Sequence, residues 1–224
     1  MFHSVVLFSI PLVTTAYLPH DPLTSILNTE TTDWWPMYRH DPMHTGYSTS
    51  SAPNTNEILW IYRFGDWMRS SPAVYDGLVY AGSDDGKIYA LNATTGEEVW
   101  NYTTSEDIVS CPAVALERVY IGSMDSSLYC LNAKTGDLVW KYTSGGGIQS
   151  SPCVIEGRVL FGSDDCKIYA LNATTGNHLW NFSTGGYVWS SPAVSGGRVF
   201  VGSADGDVYA LDLYSGSMVW DYTT

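Results

Sequence analysis

The sequence predicts an all-β fold made by repeating one unit of forty residues. Trp60, Trp100, Trp140, Trp180 and Trp220 stand at that spacing without insertion. The pairs Ser71-Pro72, Cys111-Pro112, Ser151-Pro152 and Ser191-Pro192 keep the same register, as do Gly82, Gly122, Gly162 and Gly202. Within each unit, short runs rich in Val, Ile, Tyr and Trp alternate with Gly, Asn and Asp clusters that mark tight turns.

In the first unit the strand-forming runs are 71–74, 78–81, 87–91 and 98–102. Four antiparallel strands in about forty residues is the signature of a β-propeller blade, in which neighbouring blades cover both faces of each sheet. The units fall at 65–104, 105–144, 145–184 and 185–224, preceded by a leading segment, 33–64, with an outer strand around Trp60. Four units do not complete a ring of seven or eight blades. A truncated sequence, a compact four-bladed ring and two chains sharing one ring are all open, and truncation is favoured because an open array exposes unpaired edges.

The repeated Trp residues are assigned to packing. Burying an indole removes about 150–250 Å² from water, which contributes about 4–6 kcal/mol before ordering costs. Asp85, Asp125, Asp165 and Asp205 also recur in every unit. A carboxylate in a hairpin accepts hydrogen bonds from nearby backbone N–H groups, so these Asp residues are read as turn formers. They lack the Asp-x-Asp-x-Asp-Gly spacing of a calcium loop.

The chain has 224 residues, nine Trp and sixteen Tyr, and a formal net charge of −13. That balance argues against nucleic acid, which needs clustered Lys and Arg, and against anionic membrane surfaces. The apolar stretch 5–13, followed by small residues at 14–16, is too short to span a bilayer. It reads as a signal peptide over 1–16, though its first residues hold His3 and no Lys or Arg. A linker follows at 17–32, and the expected location is extracytoplasmic: secreted, periplasmic or at the cell surface. Cys111, Cys130, Cys153 and Cys166 are substitutions on the template and lack zinc-ligand spacing. Disulfides and buried free thiols are both open. Asn92, Asn101, Asn172 and Asn181 begin Asn-x-Ser/Thr sequons, and Asn92 and Asn172 are equally explained as turn residues.

Residues 88–100, Ile-Tyr-Ala-Leu-Asn-Ala-Thr-Thr-Gly-Glu-Glu-Val-Trp, resemble the pyrroloquinoline quinone (PQQ) repeat, and residues 33–47 look like the segment before the first blade of such propellers. The resemblance covers 33–224. The family includes quinoprotein dehydrogenases, the scaffold subunit of the bacterial outer-membrane assembly machinery, and exported propellers without known activity, so fold alone does not choose the function. The dehydrogenases imply calcium-bound PQQ, an Asp base and often a disulfide between adjacent Cys. None of these can be placed on this sequence, so no catalytic, cofactor or metal residue is assigned.

Subtracting the repeat leaves the segments that enter each first strand as the most variable. They supply Trp67, Arg69, Gln149, Tyr187 and Trp189 as candidates for a binding site at the mouth of the central channel. Exposed aromatic and Arg side chains are enriched at interfaces. The expected function is an exported, non-catalytic binding module or scaffold for a protein, peptide or glycan. The alternatives are a fragment of a dehydrogenase using PQQ with calcium, and a structural repeat of a larger cell-surface protein.

Overall fold

The computed structural model describes residues 5–7 (backbone only), 35–48 and 56–224. The linker and most of the signal-peptide segment lie outside the described residues. Of that segment only β1 (Val5–Leu7) is described, paired antiparallel with β2 (Ile61–Arg63).

Four sheets of four antiparallel strands follow in sequence order. Blade I is β3 (Ala73–Tyr75), β4 (Leu78–Gly82), β5 (Lys87–Asn92) and β6 (Glu98–Thr103). Blade II is β7 (Ala113–Ala115), β8 (Arg118–Gly122), β9 (Ser127–Asn132) and β10 (Leu138–Thr143). Blade III is β11 (Cys153–Ile155), β12 (Arg158–Ser163), β13 (Lys167–Asn172) and β14 (His178–Ser183). Blade IV is β15 (Ala193–Ser195), β16 (Arg198–Gly202), β17 (Asp207–Asp212) and β18 (Met218–Thr223). Each is a meander whose third and fourth strands shift register once near the Trp, as at Ala90/Leu91.

First strands of adjacent blades lie side by side, and a ladder of bonds joins them where they begin. The amide of Ser71 donates to Cys111 Sγ (3.1 Å), that of Cys111 to Ser151 Oγ (3.1 Å), and that of Ser151 to Ser191 Oγ (3.1 Å). The small polar residue before each Pro is therefore an inter-blade staple.

Between blades the core is apolar. Gly82, Gly122 and Gly162 are required because a Cβ would come within 2.3, 2.2 and 2.3 Å of Ile108, Ile148 and Val188 of the next blade. The Trp ladder works across the same interfaces. Trp60, Trp100, Trp140 and Trp180 donate their indole N–H to the carbonyls of Ala93, Ala133, Ala173 and Leu213 at 2.9–3.2 Å. Each ring lies against the left-handed glycine of the next blade's last hairpin, at 96, 136, 176 and 216.

Trp220 lies on the face of the last blade, with its ring 6.0 Å from that of Phe200. No following blade offers it a carbonyl or a glycine among the described residues, and it is 40% exposed. A Cβ at Gly202 would meet only Ser190 of its own blade, at 3.8 Å, where its counterparts would clash with the next blade.

The segment 35–48 runs along the first strands. The carbonyls of Trp35, Pro36 and Pro42 accept from the amides of Val74, Val114 and Val194 at 2.6–2.7 Å, so one stretch of chain touches blades I, II and IV. Met37 is buried among residues of blades II and III. All four cysteines are free thiols. Burial pushes Cys130 up to about 12, and burial followed by the nearby Asp41 charge does the same for Cys153. Among the described residues no helix is long and apolar enough to cross a membrane.

Candidate functional site

Two kinds of turn build the end of each blade where its first strand begins. The turn between second and third strands contains the recurring Asp, whose Oδ1 accepts from the amide two residues on: Lys87, Ser127, Lys167 and Asp207, at 3.0–3.1 Å. Its Oδ2 accepts from the hydroxyl of Tyr89, Tyr129, Tyr169 or Tyr209. In blades II to IV the same oxygen also takes an amide of the connection entering that blade, from Ser105, Gly145 or Gly185. Burial, and then the carboxylate itself, push the Tyr209 hydroxyl up to about 12. For Asp205, burial acts upward, but the bonds from Asp207, Tyr209, Gly185 and Ser203 outweigh it and hold the carboxyl below its ordinary value. These aspartates are committed to the turn.

The connection between blades is fixed as firmly. The carbonyls of Trp67, Asp107, Gly147 and Tyr187 accept from the amides of Asp84, Met124, Asp164 and Ala204 at 2.8–2.9 Å. The same backbone bond thus recurs at all four places, while the side chains beside it vary.

Those side chains form two clusters. In the first, Arg69 Nε donates to Asp84 Oδ2 (2.7 Å) and its Nη2 to Asp107 Oδ2 (2.8 Å), which bridges blades I and II. The Asp84 side chain is nine-tenths buried and its Oδ1 has no partner. Arg69 is therefore a clamp as well as a surface cation. In the second, Asp164 accepts from Gln149 Nε2 (3.2 Å) and, across the blade boundary, from the indole of Trp189 (2.8 Å). The Tyr187 ring lies 5.5 Å from that of Trp189. Trp67, Tyr187 and Trp189 stay 60%, 49% and 51% exposed.

The structure thus brings Gln149, Tyr187 and Trp189 together around Asp164, and sets Arg69 among carboxylates of the same kind. Sequence reasoning missed Asp84, Asp107 and Asp164. A signal for two of them existed: the slot before the recurring Asp reads Asp84, Met124, Asp164 and Ala204, so its carboxylate is present in two units only.

Comparison with known proteins agrees with this repeat geometry. The family described as outer membrane protein assembly factor BamB matches residues 45–116 and 104–224. The chain belongs to this PQQ-repeat family. Among curated proteins no relative matches. Solved PQQ-repeat propellers share the fold at low identity. BamB from Moraxella catarrhalis is 21% identical with a TM-score of 0.67, over 74% of this chain and 56% of that one. The quinohemoprotein alcohol dehydrogenase ADHIIG from Pseudomonas putida HK5 is 20% identical with a TM-score of 0.76, over 86% and 40%. A europium-containing methanol dehydrogenase is 17% identical with a TM-score of 0.73, over 85% and 49%. The chain therefore spans about half the length of these PQQ-repeat structures.

Proposed function

We propose that this PQQ-repeat chain is an exported, non-catalytic binding module that holds a protein, peptide or glycan on the rim formed by Trp67, Arg69, Gln149, Tyr187 and Trp189. The observation that carries this reading is the exposure of three large aromatic rings on connections that share a backbone hydrogen bond in every blade. A rigid platform with half-exposed aromatic faces binds with little ordering cost, because the rings are oriented beforehand. Asp164 orients Trp189 and Gln149, and Tyr187 extends the apolar face.

Charge narrows the ligand class. Arg69 is shared between Asp84 and Asp107, and Asp164 is held by the neutral donors of Gln149 and Trp189, so carboxylates outnumber cations on the rim. Partners rich in donors or positive charge suit it. The signal peptide at 1–16 and an extracytoplasmic location belong to the same proposal; the BamB-like family supports the location.

The test is a peptide library and a glycan array, read with the unmodified chain and with Trp67→Ala/Trp189→Ala. The exposed rings are chosen in preference to Arg69, whose loss strands a buried carboxylate. Ligands selected by the unmodified chain are expected to lose at least about tenfold in affinity on the variant, as for anchor aromatics at interfaces. Unchanged binding with intact circular dichroism sinks the rim reading. Saturable, calcium-dependent binding of PQQ to the unmodified chain favours the dehydrogenase alternative instead.

A further inference from the structure

The four units share one position at the start of the second strand: Leu78, Arg118, Arg158 and Arg198. In blades II and III, the guanidinium of that Arg fills the groove toward the last hairpin of the next blade. Arg118 Nη1 donates to the carbonyls of Ala173 (3.3 Å) and Thr174 (2.6 Å). Arg158 lies over the Tyr214 ring at 4.6 Å and donates to the carbonyl of Glu156. Blade I alone has Leu, and the groove between blades I and II holds a cavity of about 240 Å³ lined by Tyr75, Asp76, Leu78, Tyr80, Glu117 and Lys134, with Ala133 at its back.

The acceptors that receive Arg118 have direct counterparts in this cavity. Ala173 O takes three donors, from Tyr120, Trp140 and Arg118. Ala133 O takes the matching two, from Tyr80 (3.2 Å) and Trp100 (2.9 Å), and lacks the third. The counterpart of Thr174 is Lys134. The charge at the mouth is inverted to match: Asp76 and Glu117 stand where the next groove has Leu116 and Gly157. Lys134 Nζ is 3.8 Å from Asp76 Oδ2, both well exposed, which leaves one carboxylate in excess.

We propose that this cavity is a receptor for the side chain of an arginine presented by a partner peptide. Its alkyl stem packs on Leu78, Tyr75 and Tyr80, its guanidinium donates to the carbonyls of Ala133 and Lys134, and Asp76 and Glu117 balance the charge. A planar fork with several fixed donors suits two adjacent carbonyls, whereas an ammonium is a compact, strongly hydrated point charge. The hairpins that form the cavity lie at the opposite end of the blades from the aromatic rim, so this site does not depend on the rim reading.

The probe is N-acetyl-arginine N-methylamide, titrated into the whole chain and followed by backbone amide shifts, with the lysine analogue as comparison. Saturable shifts are expected at 75–78, 117 and 133–134, with affinity for arginine about tenfold or more above lysine, in keeping with the different donor geometry of the two groups. Leu78→Arg is expected to abolish binding by filling the cavity in cis, and Glu117→Gln to weaken it about threefold, as for a solvent-exposed charge. Equal affinity for the two analogues, shifts confined to other residues, or no saturable shift each overturn the proposal. The map on the unmodified chain decides even if Leu78→Arg does not fold.

Discussion

Gly136 and Gly77 both have φ near +75°, yet their surroundings differ sharply. A Cβ at Gly136 would lie 2.7 Å from the Trp100 ring, while one at Gly77 would meet nothing within 4 Å. Both Ala variants place a side chain in the left-handed region at a cost of about 1–2 kcal/mol. Gly136→Ala must also push the indole off its seat, adding the 1–3 kcal/mol typical of overpacking. Urea unfolding is expected to show Gly136→Ala losing about 2–5 kcal/mol and Gly77→Ala about 1–2 kcal/mol, and equal losses would mean that the Trp–glycine contact does not set blade spacing. Trp and Gly were legible from the sequence because their role recurs in every unit. Asp84 and Asp164 were not, because each acts through variable side chains, Arg69 for the one and Gln149 and Trp189 for the other, and periodicity does not say which variable residues meet. The recurring Asp residues hid them further, since a run of two carboxylates draws notice to the one that repeats.

At the scale of an element, the segment 35–48 does work that the blades do not do for themselves. Each first strand has one edge paired within its sheet and one turned toward its neighbours, and Val74, Val114 and Val194 use amides on that free edge to reach Trp35, Pro36 and Pro42. The sequence marked 33–47 as the stretch before the first blade but gave no course for it, because its contacts are made by carbonyls of irregular chain and have no period to read. Relative to a chain that starts at residue 17, removal through residue 48 takes away three backbone bonds to the blades worth about 0.5–1.5 kcal/mol each. It also removes the burial of Met37, worth about 1.5–3 kcal/mol. The truncated chain is expected to be about 3–7 kcal/mol less stable, and hydrogen exchange at Val74, Val114 and Val194 is expected to accelerate well before that at the equivalent amides of the second strands. Uniform acceleration throughout all four blades would mean instead that the segment holds the whole array together.

For the molecule as a whole, the decisive relation is between β2 and β18. In every blade boundary the strand leading into a first strand is the outermost strand of the blade before, as β6 is to β7. Trp60 places β2 in that position ahead of blade I, and blade IV already has its own outermost strand in β18. Closing the ring from these four blades alone, or from two copies, would put β2 and β18 in one slot, so each of those arrangements requires one of the two strands to be displaced. An arrangement that keeps both strands must supply three further strands inside β2 and a blade face over β18. On that face Trp220 and Tyr222 are 40% and 66% exposed, whereas their counterparts in blade I, Trp100 and Tyr102, pack against blade II. Apolar faces and unpaired edges of this kind drive association, opposed here by a net charge of −13 whose repulsion weakens with salt. Light scattering on residues 33–224 is therefore expected to show association that grows with both protein concentration and ionic strength, and Trp220→Glu/Tyr222→Glu is expected to remove it without lowering the unfolding midpoint. A discrete dimer, unaffected by that double variant, would instead favour two copies joined in a ring with one outer strand displaced at each junction.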